Sequence, residues 1–195
     1  MKKVNWKKAA IAIWVLVGGL VLIGLIAPRS GSPDFTKAMP YQVMTYGDFS
    51  FPGRTRLEWG ITSSARSFEE RAQTAMKAAF DLQKKSKADV VSIWLEIGPA
   101  MAGAGHQLAI ARYAPDGGGF SGDQKWIWEV EAAVQEPDPL EIEVGELWYQ
   151  NSEAYRGLDG ALDEPSLKAF IAEKLGVEKE KVSLPWITRN VYPVL

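Results

Sequence analysis

Hydrophobic and polar residues alternate with different rhythms along this chain, and each rhythm predicts a different element. From Ala9 to Ala27 there is no alternation: 19 consecutive residues carry no polar or charged side chain. As a helix that run would be about 28 Å long, close to the roughly 30 Å hydrocarbon core of a bilayer. It predicts a transmembrane helix over residues 9–27, preceded by a basic cytoplasmic tail at 1–8. A linker at 28–40 and a folded domain at 41–195 follow. A cleaved signal peptide competes with this reading, but its apolar run would be shorter, and Pro28 stands where cleavage would fall. A buried core helix would show a polar face, and this run has none. Gly18, Gly19 and Gly24 could admit a neighbouring helix, although their spacing is not a clean small-residue motif and lipid contact explains them equally.

Beyond Pro40 the period falls to two. In "RTRLEWGIT" Leu57, Trp59 and Ile61 alternate with Arg56, Glu58 and Gly60, which predicts a strand with one buried face. "ADVVSIWLEI" gives a second strand with Val91, Ile93, Leu95 and Ile97 on one side. Val90 and Trp94 lend its other side apolar character, the pattern of a central or a partly covered strand. "HQLAIARYA" and "KWIWEVEAAV" give a third and a fourth. Between the first and second strands the period lengthens to that of a helix. Ser67 and Glu70 form a capping box, and Phe68, Ala72, Ala75, Met76, Ala79 and Phe80 share a face. On that pattern Glu69, Arg71, Lys77 and Lys84 point outward. A second helix spans "DEPSLKAFIAEKLG", with Asp163 as N-cap, Pro165 in the first turn and Gly176 as the stop. Its buried face is Leu167, Phe170, Ile171 and Leu175. "EVGELWYQ" reads as a further short strand, and the proline-broken tail from Lys181 as an extended strap. The fold class expected is α+β: the N-terminal membrane helix, then a two-layer domain with a largely antiparallel sheet and two helices.

Charge sharpens the topology. The first eight residues hold Lys2, Lys3, Lys7 and Lys8, and no acidic residue precedes Asp34. Lysines before the span hold the N-terminus in the cytoplasm and send the domain across the membrane, so the setting expected is the bacterial inner membrane with a periplasmic domain. From Pro28 onward 18 basic residues face 24 acidic ones, which gives no basis for nucleic-acid binding. The chain has no cysteine, which excludes disulfides, thiolate metal sites and a cysteine nucleophile.

Candidate chemistry concentrates in "YAPDGGGFSGDQKWIWEV", residues 113–130. A phosphate-binding loop needs a Lys-Ser/Thr pair and a following helix, and this loop has Gly122-Asp123-Gln124 and a following strand. A helical calcium loop needs acidic residues at alternate positions and a closing glutamate, which Asp116 and Asp123 do not supply. Looser calcium coordination, with Ser121 and carbonyls helping, stays open beside the simpler reading of a hairpin turn built on Pro115-Asp116-Gly117. Trp126 and Trp128 fall on one strand face with Val130, as core residues or as an aromatic platform for a ligand. His106, the only histidine, stands at a turn-to-strand boundary and makes a histidine-based metal cluster or Ser-His-Asp arrangement impossible to argue. Glu129/Glu131 and Glu141/Glu143 each sit two apart on presumed strands, the pattern of a solvated face. Asp116, Ser121, Asp123, Trp126 and His106 are the candidate ligand or partner contacts; no catalytic residue, metal or cofactor is expected.

The run "LAIARYAPDGGGFSGDQKWIWEVEAA", with "SFEERAQTAMKAAFDLQKKSKADVV" before it and "LGVEKEKVSLPW" after it, resembles a bacterial membrane-anchored family, a domain of unknown function. The resemblance spans most of residues 54–187. It implies a bacterial envelope setting and transfers no catalytic residue. The function expected is an interaction or accessory module of an inner-membrane complex, with the membrane itself and a protein as partners. The alternative is a ligand-binding or hydrolase-like domain with its site near residues 115–124.

Overall fold

The structure, a computed structural model, describes residues 33–194, and these form one compact unit. The transmembrane reading falls on residues outside that range. Among the described residues no helix is long and apolar enough to cross a membrane.

Six strands make one sheet in chain order: β1 (Tyr41–Asp48), β2 (Arg56–Ser63), β3 (Val90–Leu95), β4 (Ala109–Tyr113), β5 (Trp128–Ala133) and β6 (Arg189–Val191). Every neighbouring pair is antiparallel except β2 and β3, which run parallel because helix α1 (Phe68–Ser86) carries the chain back between them. The four alternating runs therefore become strands β2 to β5 as expected. Ile61, Val91, Ile93, Leu95, Ala109, Ala111, Val130 and Ala132 meet Ala72, Ala75, Met76, Ala79 and Leu82 of α1 in the main core. Tyr113 and Trp128, opposite each other on β4 and β5, stack at 4.1 Å on the same side. The capping box of α1 is present: Glu70 N donates to Ser67 Oγ and Ser67 N to Glu70 Oε2, each at 3.1 Å.

Arg71 departs from the outward position its helical phase suggests. It is 1% exposed, and its Nη1 donates to the carbonyls of Ala133 at 2.9 Å and Gln135 at 2.8 Å. The guanidinium ties the first turns of α1 to the end of β5, so backbone acceptors at a strand end decide where this side chain goes. The far side of α1 is covered too. Lys37 N donates to Gln73 Oε1, Met39 N to Thr74 Oγ1, and Phe35 packs on Phe80 with centroids 5.7 Å apart. From the C-terminal tail Tyr192 meets Phe68 and accepts from Gln73 Nε2. Residues 33–40, within the segment read as a linker, are therefore bound to the domain.

A second core lies apart from the first. Helices α2 (Pro139–Asn151) and α3 (Glu164–Leu175) enclose Val144, Trp148, Leu167, Ile171, Ala172 and Val182. Among the described residues there are three α-helices, not two, because "EVGELWYQ" is helical. Asp138 caps α2 by accepting from Leu140 N at 2.7 Å, and Pro139 occupies its first turn. The Asp-Pro pair that looks like a breaker is a helix start. The caps of α3 are those expected, Asp163 accepting from Ser166 N and Gly176 closing the helix in the left-handed region. The tail runs extended until β6, which adds a short strand at the β5 edge.

Candidate functional site

The face of the sheet turned away from α1 carries a polar row beside the buried Val90 and Ile110, and its residues come from the alternate positions of the same strands. Strand register sets Glu58 of β2 beside Ser92 of β3, Ser92 beside Arg112 of β4, and Arg112 beside Glu129 of β5. One straight row across four strands thus carries carboxylate, hydroxyl, guanidinium and carboxylate. Phe120, Gln124 and Trp126 from the glycine-rich loop and Trp94 from β3 complete a cleft of about 300 Å³ above that row.

The loop keeps its shape through Arg54, which is 8% exposed. Its Nη1 and Nη2 reach both carboxylate oxygens of Asp116 at 2.8 and 3.2 Å, its Nε donates to Phe120 O, and Nη2 also donates to Gly119 O. The pair holds the Asp116 carboxyl below its ordinary range, with the Gly118 N–H helping. Gly119 takes φ +63, and a side chain there would run into Gln124 and Trp126, so only glycine lets the loop fold back at this point. Gln124 closes the turn, its Oε1 accepting from Phe120 N at 2.9 Å. The loop tip also meets the β1–β2 hairpin: the Arg56 guanidinium lies between the rings of Phe51 and Phe120, 4.5 and 4.4 Å from their centroids.

Glu58 is half-buried, and that burial pushes its carboxyl up; the Arg112 charge offsets the shift only in part. The Trp94 indole Nε1–H is buried but has no hydrogen-bond partner among the described residues. Arg112 Nη1 donates to Glu129 Oε2 at 2.6 Å, so this charge is already answered. Next along the face lies Glu96, 3% exposed, whose Oε1 accepts from Gly103 N at 3.2 Å while Oε2 is unpartnered. Burial raises its carboxyl as well, and the nearby Glu58 adds to the rise.

The five sequence candidates separate into different roles. Of the two places open to Trp126, core or platform, it does not take the core: β5 begins only at Trp128, and Trp126 lines the cleft. Asp116 locks the loop through Arg54, so calcium coordination by Asp116 would have to break that pair. Ser121 and Asp123 are exposed at the loop tip. His106 stands elsewhere, its Nδ1 donating to Pro185 O and its Nε2 facing the Tyr149 hydroxyl, both at 2.9 Å. Since a carbonyl can only accept, Nδ1 carries the proton and the ring pins the tail to α2. Among the described residues no three His, Asp or Glu side chains are grouped to hold a metal ion. Glu58, Ser92, Arg112 and Glu129 escaped sequence reasoning: only strand register brings them together.

The comparisons agree with this fold. The crystal structure of a DUF487 family protein from Desulfovibrio piger at 2.49 Å resolution is similar to this chain at 30% sequence identity and a TM-score of 0.67. The likeness covers 80% of this chain and 96% of that one. No curated protein matches the chain. Residues 36–187 match the family model described as Domain of unknown function (DUF4875), and the chain belongs to that family.

Proposed function

We propose that this protein is a single-span inner-membrane protein with a cytoplasmic N-terminus, whose periplasmic α+β domain is an interaction or accessory module of a membrane complex. The observation that supports the reading is strand β1. It is the outermost strand, eight residues long, and pairs only with β2. Val43, Met44 and Tyr46 on it and Phe49 and Phe51 just beyond are all exposed. Edge strands of monomeric proteins are normally short or charged, because their free N–H and C=O groups invite another strand. This edge has no charge before Asp48, and a single irregularity between Val43 and Thr45 is its one interruption. An extended segment of a partner protein can pair with such an edge and seat alternate side chains against the aromatic residues. Photo-crosslinking residues placed at Met44 and Tyr46 in cells are expected to give one defined adduct, and residues placed at Glu173 on the exposed side of α3 to give none. Absence of an adduct at β1, or identical adducts at Glu173, would sink the interaction reading. A reporter active only in the cytoplasm, fused after Leu195, is expected to be silent; activity there would reverse the topology.

The cleft supports the second reading, a ligand-binding site under the loop at 115–124. Its observation is a set of five polar side chains and three indole or phenyl rings that line one space.

A further inference from the structure

We infer that the cleft beneath the glycine-rich loop binds a neutral saccharide, one pyranose unit seated between Trp126, Phe120 and Gln124 above and the Glu58–Ser92–Arg112–Glu129 row below. The inference rests on the ligand-binding reading of that cleft and names its substrate class. Size sets the first limit: about 300 Å³ lies at the small end of the range for small-molecule sites, enough for one ring unit.

Charge sets the second. A cationic ligand would meet Arg112 in the middle of the floor, and one ring of the wall, Phe120, already faces the Arg56 guanidinium at 4.4 Å. An anionic ligand would meet Glu58 and Glu129, with the one positive charge of the floor already paired to Glu129 at 2.6 Å. A ligand without charge avoids both costs.

Hydrogen-bonding capacity sets the third. The Ser92 hydroxyl is in a residue only 6% exposed and bonds to no described residue. Gln124 uses its Oε1 on Phe120 N and keeps its amide N–H groups free, and Glu129 keeps its second oxygen. Glu58 adds half-buried carboxyl oxygens at the other end of the row, able to accept. Donors and acceptors of this density, held at fixed positions by four paired strands, suit a ligand that bears a hydroxyl on nearly every carbon. The indole of Trp126 and the ring of Phe120 supply apolar surface for the C–H face of the same ring. Unpaired buried polar groups are costly, so a ligand that satisfies them gains selectivity over apolar molecules of its size.

Within the row Glu129 is held by Arg112 at 2.6 Å, and Glu58 stands beyond that arginine and Ser92. The row is therefore read as a binding surface: paired-carboxylate glycoside cleavage uses two carboxyl groups free to act, one as acid and one as base or nucleophile.

The test uses the full chain in a polyoxyethylene detergent, which has no sugar head group. Glucose, N-acetylglucosamine and the linear tetramer of each are titrated while tryptophan fluorescence and ligand-observed NMR saturation transfer are read. Tetramethylammonium and inorganic phosphate form the charged arms. The expected result is a saturable response to at least one saccharide, weakened about tenfold or more by Trp126→Ala and by Ser92→Ala, and unchanged by Trp186→Ala. Thermal melts confirm that each variant folds, and Ser92→Ala serves where Trp126→Ala does not. Equal affinity for monomer and tetramer identifies a free sugar as the ligand, and tighter binding of the tetramer identifies a glycan chain. A response to tetramethylammonium or phosphate alone, lost in Trp126→Ala, would overturn the saccharide inference while keeping the cleft as a ligand site. No response to any probe, or a saccharide response untouched by the cleft variants, would overturn the saccharide inference, and in the first case the ligand reading with it.

Discussion

Along β3, Val91, Ile93 and Leu95 turn toward α1 and are fully buried, while Ser92 and Trp94 turn the other way, toward polar neighbours and a half-open cleft. The two faces are made from alternate residues of one strand, and they solve different problems. The α1 face is closed by alanines, a methionine and aromatic stacking, so its stability comes from dense apolar burial. On the opposite face Glu58 and Glu96 are partly or wholly buried without full hydrogen bonding, an arrangement that weakens a fold unless something offsets it. The α1 face secures the fold, and the opposite face, where buried carboxyl and indole groups without full hydrogen bonding lie beside open space, is where binding is expected.

Neighbouring substitutions on β3 test the asymmetry most strongly. Ile93→Ala removes a fully buried side chain from the main core and is expected to cost about 3 kcal/mol. Ser92→Ala removes a hydroxyl without a partner and is expected to change stability by less than about 0.5 kcal/mol. Urea unfolding of both variants decides it. Comparable losses would mean that the cleft face carries the fold as much as the core face does.

Arg54→Ala comes next. It deletes the guanidinium that holds Asp116, Phe120 and Gly119 together. Asp116, with its side chain 48% exposed, can return to water, so the loss is expected to be about 2 kcal/mol and not the full cost of stranding a buried charge. Hydrogen exchange is expected to quicken at residues 116–124 and to leave β3 unchanged. If protection fell throughout the sheet, the loop would belong to the core and the contrast between faces would fail.

The sign of a pH effect sets the buried Glu96 apart from the exposed carboxylates. Glu96 is raised by burial above its ordinary value of 4.5. A carboxyl raised in the folded state contributes stability that is complete below about 4.5 and is lost as pH rises through the folded value. Asp116 and Asp89 are lowered and act in the opposite sense, keeping their contribution above the ordinary range and losing it on acidification. Glu96→Gln is therefore expected to gain on the wild type as pH climbs from 4 to 7. Melting both proteins across that window isolates Glu96 from the shared carboxylates; a constant difference would show that the residue ionises as it does in the unfolded chain.

What the sequence disclosed follows the same division. The apolar face was legible because alternation in 57–61, 91–97 and 128–132 reports burial directly, and Ser67, Glu70, Asp163 and Gly176 announced their helix ends through local hydrogen bonds. Strand β1 was not legible, since "YQVMTYGD" has no clean alternation and loses register between Val43 and Thr45. Helix α2 was hidden by Pro137 and Pro139 and by Val, Trp and Tyr residues that favour strands. The cleft was half legible. Trp126 and its loop stood out, but Glu58, Ser92 and Arg112 become neighbours through pairing across strands, which no local pattern encodes. Arg71 shows the limit from the other side, because its buried position is set by carbonyls at the end of a distant strand.

The smallest expected stability change lies where the apolar face runs out of cover. Tyr46 pairs in register with Trp59 and so lies on the α1 side of the sheet, yet it is 62% exposed, while α1 meets the other end of β1, where the Tyr41 hydroxyl donates to Asp81 Oδ2 at 2.8 Å. A residue that touches little in the folded domain contributes little to it, so Tyr46→Lys is expected to shift stability by no more than about 0.5 kcal/mol. Its effect on association is expected to be large. A lysine placed in an edge strand is the charge that natural sheets use to repel a neighbouring strand, and this edge lacks one. The variant should therefore melt with the wild type and lose the crosslink formed at Met44. A variant that melted early would show that Tyr46 closes the core, and the exposed aromatic edge would then need no partner to explain it. A variant of normal stability that kept the Met44 adduct would place the contact off the strand edge.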